Sequence, residues 1–253
     1  IGVILTGLIS AIIWNIITWY FGIPSSSSHA LIGGIIGAVG IAYGIGLIQL
    51  KGLEKVAIAL FISPVLGLLT GYLMMKFTLF LVRGASPKAN LFFKRAQILT
   101  SIGLALSHGT NDAQKTMGII TMGLVSAGYL KEFTVPLWVI AVCAAAMALG
   151  IATGGWRIIK TLGGKFYKIR PIHGFSAQVS AATIILGAAL LGGPVSTTHV
   201  VSSSIMGVGS AERLSKVRWT VAQEIAMAWI LTIPATALMA AGIYPIVARL
   251  VVV

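Results

Sequence analysis

Residues 107–118 read Ser-His-Gly-Thr-Asn-Asp-Ala-Gln-Lys-Thr-Met-Gly, a polar run that interrupts the otherwise apolar segment 96–130. Asp112 is the only aspartate in the chain. An acidic residue in mid-membrane costs roughly 2.5–3.5 kcal/mol on insertion scales, and such residues face a cavity and meet a cation, a proton or a partner. Carboxylate and amide oxygens are hard ligands suited to small hard cations. Asn111 and Asp112 are therefore candidates to hold a coupling cation. Lys115 lies within one helical turn of Asp112, so a plain Asp112–Lys115 ion pair is the alternative. That alternative leaves the amides of Asn111 and Gln114 unexplained.

A second polar knot, Pro24-Ser25-Ser26-Ser27-Ser28-His29, sits between two almost wholly apolar flanks, and it recurs. GIPSSSSHALIGGIIGAVG (22–40) aligns without gaps with GGPVSTTHVVSSSIMGVGS (192–210). Pro24 matches Pro194, Ser26 matches Ser196, His29 matches His199 and Gly37 matches Gly207, an offset of 199 − 29 = 170. Ser27 and Ser28 match Thr197 and Thr198, hydroxyl for hydroxyl. Proline suits the approach to a helix and Ser or Thr suits its N-cap. The two segments thus predict short helices that begin at the hydroxyl clusters. A helix start offers unpaired N–H groups and a partial positive charge. With hydroxyl donors added, it is an anion site that needs no full positive charge. His29 and His199 follow directly, either bonding back to the loop or relaying protons. Gly33, Gly34 and Gly37 predict close helix packing. Glu224 either lines a pathway or pairs with a neighbouring base.

The elements that carry these groups belong in a membrane. Of 253 residues, 57% are hydrophobic and 9% charged, with a mean hydropathy of +0.99; a soluble domain carries about 25% charged residues. Runs long enough to cross a bilayer lie near 2–21, 55–82, 134–153, 174–191 and 219–240. The expected class is an all-α polytopic membrane protein with broken or re-entrant helices. The net charge of +13 does not point to nucleic acid, because the basic residues cluster in short loops, and loops of that kind face the cytoplasm. Cys143, the single cysteine, is expected to be a packing residue.

Placing the basic loops 83–95 and 154–172 both inside fixes the count of crossings. The first Ser-rich hairpin then has its ends outside and the second has its ends inside. The two repeats are expected to be inverted relative to the membrane, as in many secondary transporters. This divides the chain into 1–82 (the remainder of a first inverted repeat), a cytoplasmic loop 83–95, and a second repeat 96–253.

On these residues the chain resembles the inorganic phosphate transporter family. SHGTNDAQKTMG looks like the bacterial form of its second Gly-x-Asn-Asp motif, and the two Ser/Thr-His segments resemble its paired P-x-S-x-x-H elements. The resemblance implies a cation-coupled symporter of inorganic phosphate in the cell membrane, working by alternating access, commonly as a homodimer among lipid. It implies no cofactor beyond the coupling ion, sodium or proton. Ser26, Ser27, Ser28, Ser196, Thr197 and Thr198 would surround phosphate, with Asn111 and Gln114 nearby. Asp112 would bind the cation, sodium if sodium drives transport. The family's earlier Asn-Asp motif falls at 111 − 170 = −59 by the repeat offset, so an N-terminal portion is expected upstream of residue 1. Sulfate is the alternative cargo. A passive anion channel is a further reading, and a Ser/His hydrolase is disfavoured because no catalytic spacing stands out.

Overall fold

The computed structural model describes residues 1–251 except Pro87 and Pro194, and leaves out the side chain of Leu60. Pro194, the expected counterpart of Pro24, therefore lies outside the described residues. The helices are α1 (Gly2–Tyr20), α2 (Ser27–Tyr43), α3 (Leu50–Leu81), α4 (Ala89–Ser126), α5 (Leu137–Gly154), α6 (Trp156–Lys160), α7 (Pro171–Leu190), α8 (Thr197–Glu212) and α9 (Trp219–Val251). Five of them, α1, α3, α5, α7 and α9, are long and apolar enough to cross a membrane, and they coincide with the five long apolar runs of the sequence. No strand occurs among the described residues.

The 170-residue repeat is visible in the backbone. A left-handed glycine follows α1 at Gly22 (φ 66°) and α7 at Gly192 (φ 67°), a conformation that costs glycine little. The chain then reverses into α2 and α8. Pro64 inside α3 and Pro234 inside α9 also differ by 170.

The chain forms two compact units that do not follow the sequence repeats. The first comprises Ile1–Leu53, Asp112–Ile158 and Ile225–Val253. The second comprises Glu54–Asn111 and Ile159–Glu224. Each repeat's long third helix belongs to the unit built around the other copy's hairpin: α9 lies with α1 and α2, and α3 lies with α7 and α8.

Glycine makes both packings possible. In the first unit, a β-carbon at Gly33 would overlap the Thr236 hydroxyl and the Ile233 carbonyl, and one at Gly37 would overlap the Ala237 carbonyl. Gly34 packs in the same way on Ser10 of α1. In the second unit, a β-carbon at Gly67 would overlap the Ser203 hydroxyl, and one at Gly207 the Leu68 carbonyl. Small residues that let backbones approach are the usual means of helix association in lipid, where apolar burial gives little drive.

The connections are shorter than their charge pattern suggests. α4 begins at Ala89, so Lys94 and Arg95 of the basic stretch 83–95 are helical. The stretch 154–172 contains α6 and a π-helical turn at Thr161–Lys165. It ends in a polar cluster that ties the start of α7 to the end of α8. The backbone N–H of Arg170 donates to His173 Nδ1 at 3.0 Å, and His173 Nε2 lies 2.9 Å from Glu212 Oε1. With Nδ1 accepting, the imidazole proton sits on Nε2 and is donated to Glu212. Arg170 and Lys216 donate to the same carboxylate. Burial alone would raise the Glu212 pKa; the hydrogen bonds from His173 and Lys216, with the nearby positive charges, overcome it and bring it down to about 2.

Two outcomes are expected. Gly37→Val should lower folded yield and stability by about 1–3 kcal/mol, the range for overpacking. Gly40→Ala, where the nearest atom would be 3.9 Å away, should be neutral; thermal melts in detergent compare them. A carboxyl with a depressed folded-state pKa stabilises above its ordinary value and loses that contribution as pH falls through the folded value. Glu212 should therefore stabilise the protein at pH 7 and cease to do so between pH 4.5 and about 2. Glu212→Gln should melt lower at pH 7 and show a flatter acid limb; identical melting curves against pH would remove Glu212 from the stability of this unit.

Candidate functional site

In the first unit each serine of the Pro24–His29 segment has its own task. Ser25 Oγ shares a 2.7 Å hydrogen bond with Thr18 Oγ1 of α1. Ser26 is the N-cap of α2 (φ −93°, ψ 112°), its Oγ accepting the His29 N–H at 3.3 Å. Ser27 lines a cavity of 340 Å³ together with Asp112 and Thr116, walled by apolar residues that include Val142 and Cys143. Ser28 Oγ accepts from Lys115 Nζ at 2.8 Å. The loop is held from outside as well, because Trp229 of α9 donates its indole N–H to the Pro24 carbonyl at 3.0 Å.

Lys115 also reaches Asp112 Oδ1 at 3.2 Å. The ion pair offered by the sequence is therefore present, but it includes a third member, Ser28. Gln114 is exposed; two residues on from Asp112, it does not share that face of the helix.

The motif that carries these groups does not break its helix. α4 runs without interruption from Ala89 to Ser126. The hydroxyls of the motif bond back along the helix: Ser107 to the Gly103 carbonyl at 2.8 Å and Thr110 to the Leu106 carbonyl at 2.9 Å. The interruption seen in the sequence is chemical rather than conformational.

The second unit repeats the cap. Ser196 is the N-cap of α8 (φ −88°, ψ 111°), and its Oγ accepts the His199 N–H at 3.3 Å. Thr197 and His199 are buried there, and Thr198 is half-buried. In both copies it is the backbone N–H of the histidine that closes the cap. Asn111, also in this unit, is 5% exposed, and its Oδ1 has no hydrogen-bond partner among the described residues. A buried acceptor left unpaired costs about 1–3 kcal/mol, and an amide oxygen in that state suits a small cation or a protonated ligand. No group of three or more His, Cys, Asp or Glu side chains able to hold a metal occurs among the described residues.

The structure thus gathers Ser26, Ser27, Ser28, His29 and Asp112 in the first unit. It holds Ser196, Thr197, Thr198, His199 and Asn111 in the second. Sequence reasoning considered Lys115 only as a partner for Asp112. Its place one turn along α4, on the face of the one aspartate, was the available signal.

Known proteins resemble this chain along most of its length. The model of the "Phosphate transporter family" matches residues 1–90 and 82–240. A Bacillus subtilis (strain 168) protein described as "Probable low-affinity inorganic phosphate transporter" is 47% identical over 96% of this chain and 73% of its own length. A Rhizobium meliloti (strain 1021) protein of the same description is 48% identical over the same shares. A solved structure titled "The sodium-dependent phosphate transporter" superposes with a TM-score of 0.85 at 26% identity, covering 99% of this chain and 80% of that one. The chain belongs to the phosphate transporter family and is a multi-pass protein of the cell membrane, a transporter rather than an enzyme.

Proposed function

We propose that the chain carries inorganic phosphate across the cytoplasmic membrane as a cation-coupled symporter, by alternating access of two inverted repeats. The observation that carries this is the serine-capped helix start, found twice with nearly the same backbone angles, 170 residues apart. Each start presents N–H groups and hydroxyls without a carboxylate in the cap, which suits a tetrahedral oxyanion. Ser26, Ser27 and Ser28 serve phosphate in one copy, and Ser196, Thr197 and Thr198 in the other, with Asn111 and Gln114 contributing amides. Asp112, with Asn111, takes the coupling ion.

The solved relative is titled sodium-dependent, which supports sodium as the coupling ion. A proton is the other candidate, with His29 and His199 as its relay. Sulfate is not favoured, since the relatives are described as transporters of phosphate. The family resemblance extends the proposal to a homodimer.

Purified protein in proteoliposomes, with sodium and proton gradients imposed separately, tests the proposal. Phosphate should accumulate against its gradient with one of the two ions and fail to do so when that gradient collapses. Asp112→Asn should abolish accumulation while the protein still inserts. Ser27→Ala and Thr197→Ala should each raise the half-saturating phosphate concentration about tenfold, the loss of one hydrogen bond to a charged group. Downhill flux that ignores both gradients would mark a channel, and unchanged half-saturation in both serine and threonine variants would place the anion elsewhere.

A further inference from the structure

We propose that Lys115 is a phosphate-binding residue, a tethered ammonium that turns from Asp112 to the anion when phosphate enters. The inference rests on the phosphate-transport reading above and adds a full positive charge to a site that reading built from neutral donors.

The ammonium stands beside a helix start, with one carboxylate to balance it. Lys115 Nζ lies 2.8 Å from Ser28 Oγ, and Ser28 is the second residue of a 17-residue helix. The first turn of such a helix carries about half a positive charge and disfavours a cation. Asp112 supplies one negative charge at 3.2 Å from the same nitrogen. Lysine, aspartate and helix start together leave about half a positive charge at this spot. A further cation would increase that excess, and an anion reverses it.

The hydrogen bonding has the same direction. An ammonium can only donate, so Ser28 Oγ must be the acceptor in this contact. The Ser28 hydroxyl proton is then left to donate in its turn. Lys115 thus sets Ser28 as a donor, the role an oxyanion requires. Ser27, the preceding residue, lines the same cavity as Asp112. The side chains of Lys115 and Asp112 are 28% and 18% exposed. The ammonium is therefore partly desolvated, where a hydrogen bond to an anion is worth more than in water.

Binding of radiolabelled inorganic phosphate to the purified protein in detergent tests the assignment. Lys115→Met should raise Kd about tenfold or more, as loss of a charge-assisted hydrogen bond does, and Lys115→Arg, which keeps the charge, should lose less. The weakening should persist when Lys115→Met is made in an Asp112→Asn background. In the unaltered protein, phosphate but not chloride should slow acetylation of Lys115, read peptide by peptide in a mass spectrometer; this arm decides the matter where Lys115→Met does not fold. An unchanged Kd in Lys115→Met, a loss that vanishes once Asp112 is Asn, or acetylation indifferent to phosphate would each overturn the proposal and leave an ion pair only. Failure of the unaltered protein to bind phosphate at all would instead sink the transport reading on which the proposal rests.

Discussion

A helix that begins inside a membrane protein must satisfy its first N–H groups without bulk water. Most of what is distinctive in this chain follows from that constraint. It is met twice by a serine at the N-cap, with nearly identical angles at Ser26 and Ser196. Aspartate caps a helix about as well as serine does, but its charge would repel an anion brought to the same N–H groups. A hydroxyl caps while remaining neutral, and it can turn to donate. The choice of serine keeps the helix start both stable and neutral.

The caps are useful only if the helices behind them are held firmly. Glycine supplies that rigidity by removing side chains from the contacts. Gly33 and Gly37 bring α2 onto the backbone of α9, and Gly67, Gly71 and Gly207 bring α3 and α8 together. Contacts this close leave little room for sliding, so each capped helix is positioned by a long apolar helix beside it. In the first unit that long helix also reaches the loop itself, through the Trp229 indole and the Pro24 carbonyl. Packing and site are therefore linked by one element, α9.

Much of this was legible in the sequence. Apolar length marked the five long helices, and Pro, Ser and Thr marked the two internal helix starts, because both signals are local. The exchange of α3 and α9 between units was not legible. A repeat shows that two segments have the same shape, but not which copy of the third helix each hairpin will bury. The polar run 107–118 suggested an interruption, whereas α4 continues, because serine and threonine can satisfy themselves on the preceding turn of their own helix. The cluster at Glu212 was hidden for another reason. His173 and Glu212 are 39 residues apart, and neither has a counterpart in the first repeat, where positions 3 and 42 are Val3 and Ala42. The asymmetry means that the two hairpins are not held alike, despite their matching caps.

On the proposed reading, the Asp112–Lys115–Ser28 contact also bears on how an anion and a cation would help each other. In the structure Lys115 compensates Asp112, so the carboxylate has a partner on its own helix. If the ammonium turns to phosphate, Asp112 is left with a weakened partner at the moment a negative ligand arrives. A cation or a proton at Asp112 would then restore the balance, and it would bind more tightly than without the anion. By reciprocity, the cation in place would favour the anion by the same free energy. Coupling would thus reside in one lysine that has two negative partners and can serve only one of them fully, which makes the length and charge of residue 115 a determinant of how strictly the two ligands travel together.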